Sequence, residues 1–361
     1  MKKNIIYIII SILPWTNTIA QNISNLKYYN DITSAEQFFI NEDYDKSIAK
    51  YIEVFSTNEK YYAKDCFIAS EIAILNNDTI NFLKFLELGF QKGIDINVIE
   101  NNIFISTFIK KQSSFFNERI RLSFDNGHKI YLNKINQIVR NEIEALVHRD
   151  MLFHNTKFDN KSTMEIEYGK ALDQNKRQIL NYINTYGYPG EFLVGIKNTK
   201  MDYSCKSNLD YNFELNENVS LEYFHNHCLF FESENTLKKE ISNGNIHPRM
   251  YAFYMEWAYS ALKNKTDTIG REITIVETGE KVLIYNTHIK LEECNCELKK
   301  QDKFYRLYHG DFEPIWKDKK NEEINKFRKE IGICTLEHDM KKKAFETRNR
   351  IKLYFGMFGE L

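Results

Sequence analysis

The sequence predicts a mainly α fold, with an N-terminal α/α helical-repeat layer followed by a C-terminal α+β domain carrying β-hairpins. Three observations predict it. Laying the chain on itself at an offset of 34 residues aligns Ala35 with Ala69, Phe38 with Ile72, Glu42 with Asn76, Ile48 with Phe82 and Tyr51 with Phe85. A period of that length is one helix-turn-helix unit per repeat. Amphipathic stretches of helical length then run from Leu132 onward, and hairpin-forming β-rich runs come after residue 270. Helices first and hairpins later is the order of an α+β domain.

The chain opens with Lys2 and Lys3, an apolar run from Ile5 to Leu13, and a polar tail with Thr18-x-Ala20. This is the pattern of a secretory signal, with cleavage expected after Ala20. The run is too short to span a bilayer of roughly 30 Å as a helix, and no later segment has eighteen continuous apolar residues. The sequence therefore places the protein in the periplasm or outside the cell, without a transmembrane segment after cleavage. Residues 1–20 are read as the signal peptide, 21–126 as the repeat layer and 127–361 as the second domain. Removing Lys2 and Lys3 leaves 47 basic against 50 acidic residues, a formal net charge of −3, so nothing calls for nucleic acid. The run Lys341-Lys342-Lys343, with Arg348 and Arg350, is read as the solvated face of a terminal helix.

In the repeat layer Ala35 and Ala69 let paired helices approach, while Phe38, Ile48, Tyr51 and Phe55 fill the space between them. Ser34 followed by Gln37 is expected to start the first helix as a capping box. Gly89 with Gly93 marks the exit of the fourth. A further helix pair from Ile99 to Phe124 is expected to cap the array, since two units bury too little alone. Such a layer either offers a concave face to a peptide or an envelope protein, or packs against the second domain.

Asn126-Gly127 reads as a turn and sets the boundary between the halves. A helix is expected from Leu132 to Phe153 and another from Glu165 to Tyr186, ended by Gly187 and Pro189. Phe192-Leu193-Val194 suits a buried strand, and Tyr203 to Asn218 a loop. Val219 to Phe231 and Thr236 to Ser242 read as helices, and Pro248 opens another as far as Leu262. Arg271 to Glu277 and Lys281 to His288 form a hairpin, with a second expected around His309-Gly310-Asp311. Helices from Asn321 to Ile331 and Thr335 to Phe355 close the chain. Of six cysteines, Cys66 reads as a small core residue, and Cys294-Asn295-Cys296 as a loop feature before a labile redox pair.

The segment Glu42 to Tyr51 resembles the second-helix entry of a tetratricopeptide repeat, and Asp78 to Phe82 is a weaker copy. Gly187-Tyr188-Pro189-Gly190 with Leu193-Val194-Gly195 resembles the turn of an uncharacterised bacterial domain family of unknown function. That family shows Gly-Trp-Pro-Gly, Gln-His-Ala, Asp-Arg, Tyr-Gly-Thr-Gln and a late Arg before Gly-Leu. Here His227 stands for the family histidine with Asn226 replacing Gln. Glu256-Trp257 takes the place of the Asp-Arg pair, Tyr285 to His288 of the strand, and Arg328 with Gly332-Ile333 of the final element. The resemblance implies a domain found behind helical repeats in exported bacterial proteins.

His227, Glu256 and Arg328 are the candidate catalytic residues. Glu256 stands among aromatic residues that would raise its pKa toward acid/base use, His227 could shuttle protons and Arg328 could clamp an anion. The competing reading of Glu256 is a structural carboxylate paired with Arg249 or Arg328. His225-x-His227 is the one metal-like spacing, but two positions apart on a helix the rings diverge by roughly 200°. No phosphate loop, nucleophile-elbow serine or zinc-protease motif occurs, and no cofactor is expected. The sequence thus favours an exported peptide-binding or scaffolding protein of the bacterial envelope, the alternative being an exported hydrolase-like enzyme with a His/Glu/Arg site.

Overall fold

The computed structural model describes residues 26–155, 161–199, 214–263, 271–274, 281–284 and 321–355. The signal segment, Cys294-Asn295-Cys296, Tyr285 to His288 and the hairpin expected around His309 lie outside them. The described chain is mainly helical. Helix α1 (26–40) buries Tyr28, Tyr29, Ile32, Ala35 and Phe39 along one face, at the three-and-four spacing of an amphipathic helix. α2 (Tyr44–Thr57) buries Ile48, Tyr51, Val54 and Phe55. α3 (Ala63–Leu75) is buried on every side and lies at the centre, packed on both α2 and α4 (Thr79–Phe90). Asp78 caps α4 by accepting the Asn81 amide at 3.0 Å.

Two expectations for this region are corrected. The first helix is under way by residue 26, so Ser34 is internal and its hydroxyl donates back to the Asn30 carbonyl at 2.9 Å. Phe39 is fully buried, whereas Phe38 is half-buried beneath the Lys46 ammonium, 5.9 Å from its ring centre.

α5 (Ile96–Asn101), α6 (Ile103–Lys110) and α7 (Ser114–Lys134) follow. The turn expected at Asn126-Gly127 is absent, because α7 runs straight through both residues. Gly127 is where α7 crosses α4; a Cβ there would come within 2.6 Å of Phe90 Cβ. The chain instead breaks at Ile135-Asn136, inside the helix expected from Leu132. Asn136 donates its amide to the Leu193 carbonyl at 2.7 Å and accepts the Val139 amide, starting α8 (Gln137–Asn155).

α9 (Lys161–Tyr186) ends at Gly187, whose φ of +86° is the left-handed conformation expected of it. The strand expected at 192–194 is instead one helical turn, α10 (Glu191–Val194), with the Leu193 and Val194 amides both bonded to the Gly190 carbonyl at 3.0 Å. Three apolar residues carry no period that separates strand from helix. Gly195 (φ +78°) redirects the chain into β1 (Ile196–Thr199). Residues 214–217 of the expected loop form β2 (Glu214–Glu217), antiparallel to β1 from Ile196↔Glu217 to Thr199↔Glu214.

α11 (Ser220–His225) and α12 (His227–Ser242) are separated by Asn226, whose side chain accepts the Leu229 amide at 3.2 Å. The two helices expected at 219–231 and 236–242 are thus divided at 226 instead. α13 (Pro248–Lys263) opens at its proline as expected. β3 (Arg271–Thr274) and β4 (Lys281–Ile284) pair antiparallel from Arg271↔Ile284 to Thr274↔Lys281. α14 (Asn321–Glu330) ends before Gly332, at φ +83°, and α15 (Leu336–Asn349) is capped by Thr335.

From Arg350, at φ +55°, the chain leaves helix and residues 351–355 are all buried. They lie against the first helices. Phe355 packs edge-on to Phe67 at 5.2 Å, Phe345 on Phe39 at 5.1 Å, and the Lys352 amide donates to Glu71 at 3.2 Å. One buried apolar cluster therefore includes residues from Tyr28 to Phe355.

Candidate functional site

Of the residues singled out in the sequence, Arg328 is fully buried on α14. Its Nη2 pairs with Asp339 and its Nε donates to the Cys334 carbonyl. It fastens α14 to the start of α15. His225 pairs through Nδ1 with Asp150, which also accepts the Tyr168 hydroxyl at 3.1 Å. The backbone of His227 begins α12 and that of Glu256 lies on α13, but their side chains fall outside the described residues.

The structure gathers a different set. Two adjoining hollows, with cavity volumes of about 50 Å³ and 30 Å³, share Lys64, His247, Arg249 and Lys342 as lining. They lie where the start of α3, the start of α13, α15 and the segment 351–355 meet. Tyr62, in the extended conformation at the N-terminus of α3, brings Lys64 and Asp65 inward. The turn at Gly187 brings in Glu191, and β2 adds Leu215 and Glu217.

The polar groups hold one another in a definite pattern. Glu36 and Lys342 form a buried ion pair, and Lys64 bonds Asp65 at 2.8 Å. Arg249 gives Nη2 to Asp339 at 2.5 Å and lies over the Tyr354 ring at 5.5 Å. Its Nη1 is buried without a hydrogen-bond partner among the described residues, although only 8% of the residue is exposed. His247 Nδ1 accepts the Arg249 amide at 3.2 Å, which leaves the ring proton on Nε2. Tyr29 and Tyr62 meet that ring edge-on at 5.8 and 5.0 Å.

Burial and charge set the protonation states. Burial, then the nearby Lys64 and Arg249 cations, lower the His247 pKa and keep the ring neutral. Burial alone would raise Glu36, but Lys342 and His338 hold it well below the carboxylate range; Arg249 and Arg328 do the same for Asp339. Glu217 has no such partner. Burial pushes it up to about 7 against the Tyr188 hydroxyl at 2.5 Å, and pushes Glu191 up to about 8. Around the hollows Lys342 pairs with Glu36, Lys64 with Asp65, and Arg249 and Arg328 share Asp339.

Glu36, Cys334 and His338 bring one metal-ligand atom each within 4.8 Å of one another. His338 Nδ1 faces Gln37 Oε1 at 3.1 Å, and Nε2 stands 3.4 Å from Glu36 without a hydrogen bond. The surroundings oppose a cation. Lys342 already holds Glu36, and Arg249 Nη2 lies 3.3 Å from the sulfur, whose thiol burial pushes up to about 11. A divalent ion there would stand beside both the Lys342 ammonium and the Arg249 guanidinium.

Comparison with protein-family models, with curated proteins and with solved structures finds no match to this chain.

The cavity residues left a faint signal in the sequence. Glu36 lies on the same helical face as Tyr29, Ile32 and Phe39, and Lys64 and Asp65 interrupt an apolar helix. Charged residues at core-facing positions mark buried polar networks, but only folding shows that they converge with Arg249 and with Lys342, which is 306 residues from Glu36.

Proposed function

We propose that the chain is a binding protein whose ligand occupies the interior cavity beside Arg249. The observation that carries this is the buried, unpartnered Nη1 of Arg249 in the wall of a hollow with neutral His247 and two lysines. An unsatisfied buried donor costs about 1–3 kcal/mol, and more on a charged group. A ligand that accepts from it recovers that cost. In this reading α1 to α4 are two tetratricopeptide-like units, consistent with Ala35 and Ala69 both being fully buried at the 34-residue offset. The second half is an α+β domain that closes the cavity. A peptide against Phe39, Phe67 and Glu71 is disfavoured, because Phe345, Phe355 and the Lys352 amide already contact them. The bacterial envelope, outside the cytoplasm, remains the proposed location on the strength of the signal segment. No helix among the described residues is long and apolar enough to cross a membrane.

A thermal-shift screen of a small-molecule library against the purified protein tests the reading. Ligands that raise Tm should lose their effect in Met250→Trp, where the new ring fills the hollow. Ligands that stabilise both proteins equally would overturn it.

A further inference from the structure

Helix α7 packs on α4 and buries only Ile120, Gly127 and Tyr131 of its 21 residues. Phe115 and Leu122 each lie five residues before a buried one, which sets them roughly 140° round the helix from it, and they are 67% and 54% exposed. Of the eleven large apolar side chains exposed among the described residues, α7 carries four, the others being Ile130 and Leu132. We propose that α7 docks on a lipid surface: Phe115 and Leu122 enter a bilayer leaflet rich in anionic lipid, and the lysines and arginines around them meet its headgroups.

Charge chooses the surface. From Lys110 to Lys134 the sequence has six basic residues, Lys110, Lys111, Arg119, Arg121, Lys129 and Lys134, against the two acids Glu118 and Asp125. That is a net +4 in a chain whose 49 basic and 50 acidic residues give −1, so the positive charge is concentrated here. Arg121 pairs with Glu100 at 2.8 Å, whereas the other five cations are exposed and form no ion pair among the described residues. Exposed, unpaired cations beside apolar side chains are what draws a helix to an anionic membrane surface.

Geometry lets both kinds of group reach one plane. At 3.6 residues per turn Phe115, Arg119, Leu122, Lys129 and Ile130 fall within an arc of roughly 100°, and Glu118 and Asp125 lie outside it on one side. The spacing favours lipid over a protein partner. Phe115 to Ile130 covers about 22 Å of helix axis, with Asn126 in the same arc between the apolar groups. Anchors so spread do not make the clustered core of a protein interface, whereas a fluid leaflet takes each one separately. Leu122 and Ile130 offer no ring for a base to stack on, which disfavours nucleic acid.

Co-sedimentation of the protein, without its expected signal segment, with vesicles of phosphatidylcholine alone and of phosphatidylcholine mixed with phosphatidylglycerol tests the assignment. Binding to the anionic vesicles should be at least tenfold tighter and should weaken as salt is raised. The double variant Phe115→Ser with Leu122→Ser, at exposed positions where folding is safe, should bind them at least tenfold more weakly, and Arg119→Gln with Lys129→Gln several-fold. Met340→Ser, at a site on α15 that is 60% exposed, should change nothing. In Phe115→Trp the emission added to that of the parent should shift to the blue on anionic vesicles. Equal binding to the two kinds of vesicle would overturn the proposal, as would an unchanged affinity in the Phe115 and Leu122 double variant, folded by circular dichroism. A loss in Met340→Ser as large as in that variant would count against it equally. Absence of binding to either vesicle would also overturn it, and would leave the face to a protein partner.

Discussion

Glu36 on the first described helix and Lys342 on the last are joined by a buried ion pair that spans 306 residues of sequence. Both side chains are at least nine-tenths buried, so each charge depends on the other. Removing one partner strands the other in a low-dielectric interior, which costs about 3–5 kcal/mol, whereas replacing both by residues of similar shape is often neutral. Glu36→Gln and Lys342→Met should each lower the urea midpoint strongly, and the double variant should recover most of the loss. A double variant as unstable as the sum of the singles would show the two residues to be independent.

Stability should fall as pH rises from 6.5 to 8. Burial raises Glu217 to about 7 and Glu222 to about 8, from 4.5 in the unfolded chain. Up to about pH 7 for Glu217 and about pH 8 for Glu222 the native state keeps a proton that the unfolded state has lost, so rising pH favours unfolding by up to about 1.4 kcal/mol per pH unit for each group. His247 works in the opposite direction, but only below its ordinary value of 6.5. Glu217 faces Tyr188, Tyr254 and Glu191, while Glu222 faces Asp150, Asn175 and Arg149. Denaturation of Glu217→Gln and Glu222→Gln at pH 6.5 and 8 should show a smaller decline than the parent.

Gly195 should not accept alanine. Its φ of +78° disfavours any side chain, and a Cβ would come within 1.9 Å of the Tyr131 hydroxyl, which accepts the Ile196 amide at 3.1 Å. Gly195→Ala is expected to cost more than about 2 kcal/mol. Tyr131→Phe in the same chain removes the hydroxyl and should restore part of this. The remainder, measured by chemical denaturation, reports the backbone strain.

Arg328 should act on folding. Its guanidinium is closed in by Asp339 and the Cys334 carbonyl, leaving no free edge for a substrate. Arg328→Met is expected to cost about 3 kcal/mol in unfolding free energy. If the variant keeps its Tm while losing a measurable activity, the residue belongs to a reactive site after all.

Helices with long apolar stripes or strong punctuation were legible in the sequence. α9 with Gly187, α13 with Pro248 and α14 with Gly332 lie close to where their patterns put them. The errors share one cause, which is that tertiary contact changed the meaning of a local signal. Asn126-Gly127 looks like a turn, yet the glycine serves the crossing of α7 over Phe90. Phe192 to Val194 looks like a strand, yet Gly190 and Gly195 wind it into a single helical turn. Arg328, named from the sequence as a candidate anion clamp, lies buried against Asp339 and the Cys334 carbonyl. Lys341-Lys342-Lys343 looked like a solvated helix face, yet Lys342 is buried against Glu36, because no local pattern shows two segments 306 residues apart meeting.

The packing of residues 351–355 against α3 bears on how the chain is made. A ribosome releases Phe67 long before Phe355, so the face of α3 that Phe355 covers stays bare until residue 355 has emerged. Until that segment arrives, the apolar side of α3 at Phe67 is open to mispairing with any other apolar stretch of the emerging chain.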